Sequence, residues 1–469
     1  MSATVSTSTP AGAAPYGFVH RQRRGAELFL LLLALVVGLG AYAAVGIGVE
    51  GEVPADMLGY GGWLVGLVVV AHVVVRFVAP YADPVLLPLV AALNGLGLAV
   101  IHRIDLAKDT GFAGKQLIWM TVGVVLFCAT LVLLRDHRIL ARFTYTSALA
   151  AIVLLLLPML PVIGNEVNGA RIWIQVGPFS FQPGEVAKVL LVIAFAGYLV
   201  LHKDTLALAG RRVLFLDLPR GRDLGPILVM WGISMMILVG QRDLGSSLLF
   251  FGLFLFMLFI ATERAGWLVV GGALFSVGAV AAYFVESHVR VRVDVWLNPF
   301  AYYGEGTNDT AYQPVEALFG MAWGGLLGRG LGEGDPSRVP FSYSDFIMSS
   351  IGEELGLTGM IAVLLVYGLI VERALRIALI SRDGFGKLLA AGLGAVFALQ
   401  VFVVVGGVTG LIPLTGLTTP FLSYGGSSLV ANWVIVALLL RVSDLARRPL
   451  PDLSTDEESD DATQVVRLR

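Results

Sequence analysis

The sequence predicts an all-α, polytopic membrane protein with about 12 transmembrane helices and one large extracytoplasmic loop. Three observations predict it. Of 469 residues, 57% are hydrophobic and 14% charged, and the mean hydropathy is +0.82, more apolar surface than a soluble fold can hide. About twelve apolar stretches reach or approach the roughly 20 residues that cross the hydrocarbon. Between two of them lies a long segment, 286–344, that concentrates carboxylates, arginines, aromatics and glycines.

In chain order, residues 1–25 form a cytoplasmic tail, of which 1–20, rich in Ser, Thr, Ala and Pro, reads as disordered. The membrane domain is expected over 26–443. Its spans are 26–48, 62–79, 84–101, 116–134, 143–163, 184–201, 224–240, 244–261, 266–285, 347–372, 388–411 and 424–441. The first span follows basic residues as a signal peptide does, but it is too long and lacks a small-residue cleavage site, so it stays as a helix. Residues 444–469 make a cytoplasmic tail with an acidic run at 452–461.

Orientation follows from Lys and Arg. Arg21, Arg23 and Arg24 precede the first helix, and Arg135, Arg138, Arg142, Lys203, Arg211, Arg212, Arg373, Arg376 and Lys387 fall in alternate connections. Arg441, Arg447 and Arg448 follow the last helix, so both termini are expected inside and the 286–344 loop outside. A lone Cys128 excludes an internal disulfide, and six histidines without ligand spacing predict no metal site. The net charge of −2 offers no sign of nucleic-acid binding.

Four constellations carry chemistry, all at outer ends of helices. The first is Asn168-Gly169-Ala170-Arg171-Ile172-Trp173-Ile174 with Phe181-Gln182-Pro183-Gly184-Glu185-Val186-Ala187-Lys188. Pro183 suits the first helical position, and Glu185 and Lys188 then share one face. They either line a cavity or form a buried pair that locks two helices. The second, Gln241-Arg242-Asp243-Leu244-Gly245-Ser246-Ser247, places Asp243 where it can bind substrate or cap the next helix. The third runs from Ser344 and Asp345 to Glu353 and Glu354. Capping is available to Asp345 but not to the two glutamates, which need a cation, a proton or water. The fourth joins Gly406-Gly407 and Pro413-Leu414-Thr415-Gly416 to Pro420-Phe421-Leu422-Ser423-Tyr424-Gly425-Gly426-Ser427-Ser428, where glycine and proline break the helix beside protein or a wet cavity. The glycine run from Gly324 to Gly332 lacks the Gly-Lys-Ser/Thr of a phosphate loop and reads as tight turns.

In these four stretches, in this order, the chain resembles the SEDS family (shape, elongation, division and sporulation), membrane glycosyltransferases typified by RodA, FtsW and SpoVE. The likeness covers about 165–441 and favours the RodA-like, elongation-associated branch. It implies polymerisation of peptidoglycan glycan strands from lipid II at the outer face of the bacterial cytoplasmic membrane. It also implies a class B penicillin-binding protein, a transpeptidase, as partner beside the membrane lipids, and leaves dependence on a divalent cation open. The family's candidate catalytic aspartate lies between a Trp-Pro segment and a Tyr-Gln pair. Here Trp296-Leu297-Asn298-Pro299 and Tyr312-Gln313 resemble those flanks and leave Asp309 between them, with Glu305 and Asp294 as competitors. Arg171, Glu185, Lys188, Gln241, Asp243, Asp345, Glu353, Glu354 and Ser427 are the expected substrate-binding residues, with Arg171, Glu185 and Lys188 as a charged wall for the pyrophosphate. The alternatives are a lipid II flippase, for which the sequence shows no internal repeat, and a noncatalytic scaffold of the cell-wall synthesis complex.

Overall fold

The computed structural model describes residues 22–449, apart from 162, 168–169, 177–178, 208–210, 214–215, 219–228, 230–231, 234, 237–239 and 305–310. The expected tails 1–20 and 452–461, and the candidates Glu305 and Asp309, lie outside the described residues.

The chain enters through α1 (Arg24–Glu50), α2 (Met57–Val78), α3 (Leu86–Lys108) and α4 (Phe112–Leu133). A 3-10 turn, His137–Phe143, leads into α5 (Thr144–Leu156). Then come β1 (Gly164–Val167), β2 (Ala170–Val176) and β3 (Phe179–Phe181), an antiparallel sheet in the order β1-β2-β3 with Ile174 opposite both Gly164 and Phe181. This sheet departs from the all-helical expectation, and its alternation Arg171-Ile172-Trp173-Ile174 is the period-2 pattern of a half-buried strand. Next is α6 (Pro183–Ala207), with Pro183 first in the helix as its missing N–H favours. A small hairpin, β4 (Arg211–Val213) and β5 (Leu216–Leu218), follows on the far end of α6.

The second half holds α7 (Leu244–Thr262), α8 (Gly266–Val285), α9 (Ser287–Leu297), α10 (Tyr312–Gly324), α11 (Ile347–Glu354), α12 (Gly356–Ile380), α13 (Gly384–Val408) and α14 (Gly426–Arg447). Ten helices among the described residues are long and apolar enough to cross a membrane, matching ten of the expected spans. Most of the span 224–240 lies outside the described residues, although Val229, Ile233, Met235 and Met236 within it are helical. The span 347–372 is split: Gly356 takes φ 67°, and the glycine run donates to the carbonyls freed at the break, Arg329 N to Glu353 O at 3.1 Å and Gly330 N to Glu354 O at 2.9 Å. The run is therefore a set of turns stitched to a broken helix.

The core runs through α3, α6, α13 and α14, whose apolar faces are buried. By contrast, α8 is almost wholly exposed, as a helix facing lipid is. Small residues set the closest approaches. A Cβ on Gly38 would lie 2.8 Å from the Cα of Gly95, so α1 and α3 meet backbone to backbone. The end of α1 touches the outer loop, where Gly48 packs on Leu331 and Gly332.

Candidate functional site

The four constellations converge on one end of the bundle. Asp243 sits at the N-terminus of α7 and caps it, accepting from Ser246 N at 2.9 Å. A Cβ on Gly245 would lie 2.9 Å from Thr415 O, and one on Gly416 would lie 3.6 Å from Asp345 Oδ2. The turn at 413–416 thus threads between Asp243 and Asp345. The capping alternative for Asp345 does not hold, because α11 starts at Ile347 with no side-chain cap. Ser344 and Tyr343 are pinned by the fourth constellation: Ser423 Oγ donates to Ser344 O at 2.6 Å, and Tyr424 N to Tyr343 O at 2.7 Å.

Between these elements comes Arg292, from α9 in the outer loop. Its guanidinium donates to Leu414 O at 2.9 Å and lies within electrostatic reach of Asp243 and Asp345. Burial is the main influence on all three, lowering the Arg292 pKa and raising that of Asp243. For Asp345, burial outweighs the Ser344 hydroxyl and Arg292 and pushes the carboxyl from 3.8 up to about 6. Arg292 also lines a cavity of about 350 Å³ with His288, Trp296, Pro299, Gln313 and Leu414. Trp296 is fixed there by donating from Nε1 to Gly410 O at 2.8 Å.

Glu185 and Lys188 lie deeper. Lys188, 1% exposed, donates to Glu185, to Gln400 Oε1 at 2.9 Å and to Asn432 Oδ1 at 3.4 Å. Gln400 in turn donates to Thr418 O at 2.9 Å, and Asn432 to Ser428 Oγ at 3.3 Å. The pair therefore ties the first constellation to the fourth. The expected charged wall does not form, since Arg171 is exposed on the sheet and pairs with Glu166 at 2.8 Å. Gln241 is buried, with its side-chain amide donating to Leu155 O and its backbone carbonyl accepting from Arg171 N. Ser427 Oγ is buried without a hydrogen-bond partner among the described residues.

Glu353 and Glu354 are occupied by protein groups. Glu354 pairs with Arg103 at 2.8 Å and accepts from Gly332 N at 3.2 Å, while Glu353 accepts from Asp335 N at 2.7 Å. Lys108 adds a bond to Val339 O at 2.7 Å, so together they hold the outer loop down. Asp294 is half-buried and accepts from the Tyr283 hydroxyl at 3.0 Å. Sequence reasoning missed Gln400, Asn432 and the central place of Arg292. The signal for the first two was a single amide within an otherwise apolar span. Among the described residues no group of three or more His, Cys, Asp or Glu could hold a metal ion.

The raised Asp345 pKa has a stability consequence. Between 3.8 and about 6 the unfolded chain loses this proton while the folded chain keeps it, so stability falls as pH rises through that window. The loss is about 3 kcal/mol. The melting temperature in detergent is expected to fall from pH 4 to pH 7, and Asp345→Asn to flatten that decline. An equal slope in the variant would remove Asp345 as its source.

A family model described as cell cycle protein, and named for FtsW, RodA and SpoVE, matches residues 84–448. Over 435 residues the chain is 48% identical to the peptidoglycan glycosyltransferase RodA of Mycobacterium tuberculosis, covering 91% of this chain and 92% of that one. It is 33% identical to a probable peptidoglycan glycosyltransferase FtsW of Trichlorobacter lovleyi, over 77% of this chain and 93% of the relative. A solved chain from work on the structural coordination of polymerization and crosslinking by a peptidoglycan synthase complex superposes with a TM-score of 0.62. That match has 28% identity and covers 78% of this chain and 98% of that chain. Four motifs in order, their convergence at one end of a helical membrane bundle, and these likenesses lead to one conclusion: the chain is a RodA-like member of the FtsW, RodA and SpoVE family.

Proposed function

We infer that this chain is a peptidoglycan glycosyltransferase that polymerises lipid II into glycan strands at the outer face of the cytoplasmic membrane. The carrying observation is the cluster of buried Asp243 with half-buried Asp345 and Arg292 beside the cavity lined by Trp296 and Gln313. A lipid-linked pyrophosphate keeps its tail in the bilayer and its head at the interface, which is where the four motifs and the outer loop meet. Both termini then lie inside, as the basic connections require, and the membrane domain corresponds to 26–443 with its loop at 286–344.

In the transfer, the acceptor sugar hydroxyl attacks the anomeric carbon and gives its proton to a carboxylate, for which Asp309 is the first candidate and Glu305 and Asp294 the others. The bond from the anomeric carbon to the pyrophosphate breaks, and the pyrophosphate leaves with its electron pair. Arg292 is placed to stabilise that anion, and its tie to Leu414 O keeps it preorganised. Asp243, Asp345 and Ser427 are proposed to shape the substrate cavity. Gln241, Glu185 and Lys188 hold the motifs together beneath it, Arg171 braces the sheet, and Glu353 and Glu354 anchor the loop. A class B penicillin-binding protein is the proposed partner, consistent with the synthase-complex likeness.

Arg292→Gln is expected to lower lipid II turnover by roughly 100-fold. Arg290→Gln is the control: Arg290 is exposed and donates only to the backbone of Tyr283 and Phe284 among the described residues, so its loss should leave turnover nearly unchanged. Equal turnover in the two variants would take the leaving-group role away from Arg292.

A further inference from the structure

A second cavity, about 330 Å³, shares no lining residue with the first. It lies between the start of α2, the end of α3 and the start of α4, and its walls include Asp56, Tyr60, His102, Asp105, Asp109 and Thr110. Among the described residues no Lys or Arg lines it. The nearby lysines are engaged elsewhere, Lys108 on Val339 O and Lys115 over the Phe112 ring at 5.5 Å.

The carboxylates differ in what they already hold. Asp105 accepts from Thr110 Oγ1 at 2.5 Å, Phe112 N at 2.9 Å and Ala113 N at 2.7 Å, so its charge secures the start of α4. Among the described residues the Asp56 carboxylate accepts only the Tyr42 hydroxyl, at 2.9 and 3.0 Å to its two oxygens, which leaves lone pairs for another donor. The exposed Asp109 has no side-chain partner among the described residues.

An independent observation comes from Tyr60. Its side chain is 9% exposed, it lines the cavity, and its buried hydroxyl has no hydrogen-bond partner among the described residues, with Asp105 and Asp56 as charged neighbours. Burying a hydroxyl unpaired is costly, and a ligand N–H would relieve it. Tyr42 stacks on Tyr60 at 4.4 Å and on His102 at 4.5 Å, which fixes both rings as aromatic walls. Carboxylates, ring faces and an unpartnered phenol together favour a cation that carries hydrogen-bond donors. The described residues offer no cluster that could hold a bare metal ion.

We propose that this cleft binds an alkylammonium group, as carried by a lysine-type side chain of a short peptide. Asp56 and Asp109 supply the countercharge, and Tyr60 Oη accepts one N–H. Asp56 and Tyr60 precede the family match, which begins at residue 84, whereas His102, Asp105, Asp109 and Thr110 fall within it, so the cleft forms where the additional N-terminal helices meet the family's own helices, and it shares no lining residue with the cavity beside Arg292.

The test is calorimetric titration of the full chain in detergent with acetyl-Ala-Lys-Ala-amide, with its Nε-acetylated counterpart and with 1,5-diaminopentane. Saturable binding of the lysine peptide and none of the acetylated one is expected. Asp56→Asn and Asp109→Asn should each weaken binding about fivefold, and Tyr60→Phe should weaken it too. Asp109→Asn is the safe variant for folding, because Asn tolerates the φ of 51° at that position. Binding of diaminopentane without the peptide would support the cleft with a free amine as its occupant. Equal affinity for the acetylated peptide, no binding of any amine, or unchanged affinity in both carboxylate variants would overturn the proposal.

Discussion

Asp309→Asn is expected to lower glycan polymerisation by at least about 100-fold while the protein still folds and binds lipid II. The substitution keeps the side chain's size and removes its basicity. Although Asp309 itself lies outside the described residues, the chain on either side of it is anchored at the same cavity, with Trp296 and Pro299 before it and Gln313 after it in the lining. A base supplied by that segment would act beside Arg292, the proposed stabiliser of the leaving group. Asp294 is a weaker competitor because its carboxylate already accepts from Tyr283. Near-normal polymerisation by Asp309→Asn would pass the role to Glu305 or Asp294, and Glu305→Gln and Asp294→Asn would then decide between them.

The second large effect concerns Lys188. Lys188→Met leaves the Glu185 carboxylate buried without its cation and also strips a donor from Gln400 and Asn432. The expected cost is about 3–5 kcal/mol, enough to lose most folded protein. Exchanging the charges, Glu185→Lys with Lys188→Glu, is expected not to restore stability. The new carboxylate would face Gln400 Oε1, and that amide cannot turn over without giving up its bond to Thr418 O. Thermal stability in detergent and lipid II turnover, measured across the four members of the cycle, separate the cases. Full recovery of both in the exchanged protein would show an interchangeable ion pair rather than a directional node between α6, α13 and α14.

Much of this architecture is legible in the sequence because lipid imposes simple rules. A stretch such as 388–411 must be helical, since nothing in the hydrocarbon would satisfy its backbone otherwise. Pro183 likewise announces the start of α6. Outside the hydrocarbon the rules loosen, and the β1–β3 sheet went unread because its short alternation sits between two strong helical signals. The break at Gly356 was hidden because a continuous apolar run does not reveal that its carbonyls are to be met by a glycine loop. Within the site, the sequence shows which motifs carry charge but not which charges meet. Glu353 and Glu354 look like cavity groups until Arg103, far away in the chain, is found against Glu354. Asp345 looks like a cap until α11 is seen to begin without one. Arg292 is one arginine among several in the outer loop, and only the fold brings it to Asp243 and Asp345.

Polymerisation of fluorescent lipid II by the purified protein in liposomes, resolved by electrophoresis, tests most directly whether this chain makes glycan from a lipid-linked precursor. Wild-type protein is expected to produce a ladder of long products that a muramidase digests, with none from Asp309→Ala. No polymer from folded wild-type protein, above all if labelled lipid II merely changes leaflet, would contradict the account and leave a flippase or a scaffold in its place.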